Sequence, residues 1–133
     1  MSTSAAGGVT RLYLPATLPD LALLQRLGTL PVGDDVVVAP DESEDAEYDA
    51  MTTAAEVSAY RVAGLGPGQR RRVVIVAEVP RTAETVGLSD VVAVHADPRD
   101  VPDGVDPGDL EDLGWYAAQE VPDLLDDAGL GRD

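Results

Sequence analysis

One stretch constrains this chain more than any other: Arg70-Arg71-Arg72-Val73-Val74-Ile75-Val76-Ala77-Glu78-Val79-Pro80. Cations mark its start, a continuous apolar run follows, and a proline ends it. β-branched and small apolar residues without polar alternation read as a strand covered on both faces. Everything else in the chain then pairs with this strand or covers it.

In chain order, Met1 to Thr10 reads as a disordered leader or an expression remnant, and residues 11–133 as a single domain. Arg11 to Leu14 is a short strand ended by Pro15. Thr17 and Asp20 have the spacing of a capping box, with Pro19 just inside the helix start. Leu18, Leu21, Leu24 and Leu27 carry that helix to Gly28, a natural stop. Val36 to Ala39 is a second buried strand. Asp41 is the expected cap of a longer, acid-led helix with Ala46, Ala50, Val57 and Tyr60 on one face, ending near Gly64. The central strand follows. Residues 81–90 connect it, with room for one short helical turn, to a fourth strand, Val91 to Ala96. After a loop rich in proline and glycine, a last helix runs from about Asp109 to Asp127, with Pro122 kinking or splitting it. The order β-α-β-α-β-β-α predicts an α/β (α+β) domain: a mixed four-stranded sheet packed by about three helices.

Composition removes several function classes. The chain has no cysteine and no lysine, so thiolate metal sites, disulfides, Schiff bases and P-loop lysines are excluded. With a single histidine, no multi-histidine metal site is available. The net charge of −16 opposes nucleic acid and anionic membranes and favours a basic protein partner. No apolar window approaches the ~18 residues of a membrane span, and the expectation is a soluble, cytoplasmic protein.

Most motifs have an ordinary reading. Gly64-Leu-Gly-Pro-Gly68 follows a helix and opens a strand, the reverse of a dinucleotide loop, so it reads as a turn. Asp41, Ser43 and Asp45 alternate as in a calcium loop, but Ala46 and Thr52 stand where the glycine and the bidentate glutamate belong. A solvated helix start fits them better. Asp97, Asp100, Asp103, Asp106, Asp109 and Asp112 recur every third residue; turn chemistry and a helix cap account for them, with weak cation binding as the alternative. No cofactor or metal is expected.

Two groups remain as candidate sites. Trp115 falls opposite the apolar stripe of the expected last helix, beside carboxylates, as an interaction anchor would. Tyr116, Gln119 and Glu120 extend that patch; burial of Trp115 under the aspartate-rich loop is the competing reading. Glu78 and His95 are the only titratable groups within apolar strands. Together at the sheet rim they would suit a small-molecule or nucleotide enzyme.

Several of these stretches in the same order resemble a small actinobacterial family of unknown function: Arg11-Leu-Tyr-Leu-Pro-Ala-Thr17, Glu47-Tyr48, Arg70 to Pro80, Val91 to Asp97, and Trp115-Tyr-Ala-Ala-Gln-Glu120 with Pro122. The resemblance implies an actinobacterial, cytosolic source and carries over no catalytic residue. More remotely, the strand with Tyr13 followed by Ala16-Thr17 and a helix ending in glycine resembles the opening of ADP-ribosyltransferase-like domains. Those domains place a His or Arg after the tyrosine to hold NAD, and here Leu14 occupies that place. The expected function is therefore a non-enzymatic protein-interaction or regulatory module, with the Glu78–His95 enzyme as the alternative.

Overall fold

The computed structural model describes residues 9–66, 69–80, 82–102, 110 and 112–130. Strand β1 spans Val9–Ala16. Helix α1, Leu18–Leu27, has the expected ends: Thr17 Oγ1 accepts the Asp20 N–H, Asp20 accepts the Thr17 N–H, and Pro19 lies in the first turn. Gly28 closes the helix at φ +86°, where its N–H reaches Leu24 O at 2.8 Å. A side chain at that left-handed position would strain the backbone. Strand β2 (Thr29–Pro31) and strand β3 (Val37–Val38) follow.

Helix α2 runs over Glu44–Val62. Its cap is Ser43, which accepts the Ala46 N–H at 3.1 Å, while Asp41 accepts the Ser43 N–H at 2.8 Å one step earlier. The cap expected at Asp41 thus moves to Ser43. The buried face is Ala46, Ala50, Ala54, Ala55, Ser58, Ala59 and Val62. Tyr60, expected on this face, points to solvent.

Strand β4 is Val73–Pro80, β5 Thr85–Gly87, β6 Val91–Ala96 and β7 Gly114–Tyr116. A turn of 3-10 helix, Leu88–Asp90, joins β5 to β6. A second such turn, Ala118–Glu120, leads into α3, Val121–Asp127. The main sheet has the order β3-β1-β4-β6-β7, and β2 pairs with β5 in a separate ribbon. All of these pairings are antiparallel, so the expected mixed four-stranded sheet is a five-stranded antiparallel one. The α+β class and the three helices stand as expected.

Strand β4 lies at the centre, buried on both faces from Val73 to Ala77 as its composition demands. One face, through Val73, Ile75, Ala77 and Val79, packs against Leu18, Leu21 and Leu24 of α1 and Val121, Leu124 and Leu125 of α3. Complete burial of each such leucine contributes about 1.5–3 kcal/mol relative to exposure. The other face, through Val74 and Val76, meets Ala50, Ala54 and Ala55 of α2. Alanines there let the helix approach closely. In β6 the register shifts: Val76 pairs with Ala93 but Ala77 pairs with Val91. Val92 is the extra residue of a bulge, so Val91 and Ala93 serve opposite cores despite strand alternation.

Two further boundaries differ from expectation. Val9 and Thr10, assigned to the leader, belong to β1, where they pair with Pro80 and Val79. Residues 1–8 lie outside the described residues. The long last helix is replaced by β7, a 3-10 turn and the short α3, in which Pro122 occupies the first turn and kinks nothing. Among the described residues no helix is long and apolar enough to cross a membrane.

Candidate functional site

Antiparallel register sets the side chains of the α2-side face in cross-strand rows. Arg11 stands opposite Glu78; Tyr13 opposite Val76 and Ala93; Pro15 opposite Val74, then His95, then Trp115. Trp115 is therefore a β7 residue beside His95, not a residue of the last helix. It is 62% exposed, so burial under the aspartate-rich loop does not occur among the described residues. Of that loop, 103–109 and 111 lie outside the described residues.

Helix α2 covers only part of this face. Its N-terminal half presents Glu44, Glu47, Tyr48 and Met51, at helical spacing i, i+3, i+4, i+7, along one wall of a wide cleft of about 520 Å³. Val76, Ala93 and His95 form the floor, with Val92 beside them, and Trp115 stands at the opposite side. A smaller hollow of about 290 Å³ lies beyond His95, between α2 and Leu113, and Arg72 also lines it.

The other end of the face is polar. Arg11 Nη2 and Nε donate to Glu78 Oε2 at 2.7 and 3.1 Å, and Nη1 donates to Glu47 Oε2 at 3.3 Å. The bond to Glu78 holds the Arg11 guanidinium above its ordinary pKa. Burial, and then the Glu47 charge, push the Tyr13 phenol up. His95 shifts the other way: burial lowers its pKa and so favours the neutral imidazole.

This geometry separates Glu78 from His95. They share a face, but His95 pairs with Val74, four residues along β4 from Glu78, or about 13 Å by strand rise. His95 lines the cleft under Trp115, whereas Glu78 lines an acidic depression with Asp41 and Glu42. The carboxylate is held by Arg11 and does not reach the imidazole. Leu14 is buried in the core on the opposite face, so no cation or imidazole stands where the NAD-holding residue of a transferase would be.

The remaining patch residues also part company. Tyr116 alternates to the other face and packs against the core there. Gln119 is exposed on the 3-10 turn, and Glu120 accepts the Ala117 N–H at 2.8 Å. Among the aspartates, Asp97 holds Arg72 and Asp100 accepts the Arg70 N–H at 2.9 Å. Asp103, Asp106 and Asp109 lie outside the described residues, as do Pro67 and Gly68 of the glycine-rich loop. Among the described residues no three His, Cys, Asp or Glu side chains group as metal ligands.

The residues that sequence reading missed are Tyr13, Tyr48 and Met51. The stripe Glu44-Glu47-Tyr48-Met51 was a findable signal, because it flanks the alanine face of α2.

No curated protein and no solved structure matches this chain significantly. A family model does match, over residues 10–125, from the second residue of β1 into α3, and thus takes in both walls of the cleft. The chain belongs to DUF6912, a family of unknown function.

Proposed function

We propose that this domain is a non-catalytic binding module that docks a segment of another protein on the open part of its sheet, between α2 and β7. The observation that carries this reading is Trp115, 62% exposed on a short edge strand at the side of an apolar-floored cleft. A large exposed aromatic beside a half-covered groove is the composition of an interaction anchor. An edge strand also offers backbone groups for an incoming extended segment. The net charge of −16 favours a basic segment and speeds its encounter. The enzyme alternative at Glu78 and His95 has less support, because the two groups line different depressions.

The test is selection from a random peptide library against the protein, counter-selected against Trp115→Asp. Related peptides that require Trp115 and perturb the amides of β6, β7 and the first half of α2 are the expected result. Binders indifferent to Trp115, or no enrichment at all, would refute the reading.

A further inference from the structure

We infer that the cleft between Tyr48 and Trp115 is a pocket for an arginine side chain of the docked segment. This rests on the docking face proposed above and specifies what that face recognises. The chain is poor in aromatics, with one tryptophan and four tyrosines and no phenylalanine. Yet Tyr13, Tyr48 and Trp115 all line this one cleft. Tyr48 and Trp115 are both largely exposed, although neither is needed to fill a core. Aromatic faces attract cations, and the attraction grows where water is partly excluded.

The charges around the cleft have the matching sign. Glu44 and Glu47 line the α2 wall. Arg11 also lines the cleft and pairs with both Glu47 and Glu78, so it offsets part of this charge, but one guanidinium faces the three carboxylates of Glu44, Glu47 and Glu78 and the cluster stays acidic. Burial favours the neutral form of His95 in the floor, which lessens its repulsion of a cation. Shape favours a guanidinium over a quaternary ammonium. The cleft is wide-mouthed, not a closed cage, and a planar guanidinium can stack on one aromatic while donating to a carboxylate. The apolar floor of Val76 and Ala93, flanked by Met51, suits the methylene stem of that side chain.

Trp115 is the chain's single tryptophan and serves as its own probe. A capped Gly-Arg-Gly tripeptide is titrated at constant ionic strength against the same peptide carrying citrulline, the neutral isostere. The expected result is a saturable change in emission for arginine, with citrulline at least about tenfold weaker, a difference of about 1.4 kcal/mol. Tyr48→Leu, at an exposed helix position, should weaken arginine binding several-fold without lowering the melting temperature. Equal binding of the two peptides, an unsaturable response, or indifference to Tyr48→Leu overturns the assignment. The library selection separates this failure from that of the docking face. Trp115-dependent binders without arginine keep the face and overturn the pocket. Saturable arginine binding without any library binder keeps the pocket and overturns the face.

Discussion

Ser58 offers the sharpest test of how the layers are joined. It lies on α2, is fully buried, and bridges the two central strands: its hydroxyl donates to Ala16 O at 2.7 Å and accepts the Val73 N–H at 2.9 Å. Ala16 and Val73 are register partners at the end of the β1–β4 ladder. Ser58→Ala removes both bonds and leaves a buried carbonyl and a buried N–H without that partner. Each such group costs about 1–3 kcal/mol. Alanine returns about 0.5 kcal/mol of helix propensity. The net loss is therefore about 1.5–5.5 kcal/mol, a large share of the ~5–15 kcal/mol that holds a domain folded. For a chain of 133 residues, each kcal/mol moves the melting temperature by about 4 °C, so the expected drop is about 6–22 °C. Urea unfolding followed by circular dichroism should show a lower midpoint with an unchanged slope. Thr53→Ala, on the exposed side of the same helix, is the control and should stay within about 0.5 kcal/mol. A Ser58→Ala loss below about 0.5 kcal/mol would refute the bridge, because it would mean that the two backbone groups find other partners at no cost.

Other consequences follow from the same geometry. Asp97, just past the last ladder pair of β4 and β6, accepts Arg72 N, Nε and Nη2 at 2.9, 2.8 and 2.7 Å, and both residues are buried. Asp97→Ala should cost about 3–5 kcal/mol by thermal melting, whereas Arg72→Met with Asp97→Leu should recover most of it, since a buried ion pair is worth little against apolar packing. Gly28→Ala should cost about 1–2 kcal/mol through its left-handed backbone alone, as nothing lies within 4 Å of the added methyl. His95 should titrate below 6.5 by NMR. Because its folded pKa is depressed, the unfolded chain takes the proton first; His95 should cost no stability above 6.5 and an increasing amount as pH falls from there to the folded value, and His95→Asn should remove that slope. Trp115→Ala should leave stability within about 0.5 kcal/mol, and a loss above about 2 kcal/mol would return the indole to the core.

What the sequence by itself determined is what short-range physics determines. Thr17, Asp20, Pro19 and Gly28 mark both ends of α1 within a dozen residues, and their bonds are made inside that span. The run Val73 to Ala77 has no polar residue to present to water, so its burial on both faces follows from composition. The alanine and acid patterning of α2 likewise fixes its existence and nearly its bounds. Only the tertiary structure decided the rest. Strands β2, β3, β5 and β7 have two or three residues each, too few to show a period of their own. Their hydrogen bonds belong to partners far away in sequence. Around Trp115 the apolar spacing predicts one long helix from about Asp109 to Asp127, yet Gly114–Tyr116 bonds to β6 and turns Trp115 and Tyr116 to opposite faces. The cleft is a product of that pairing: Tyr13, Tyr48 and Trp115 line it together only because β1 and β7, on opposite sides of β4 and β6, turn these side chains to the sheet face that α2 half covers, and no local pattern encodes an arrangement of that range.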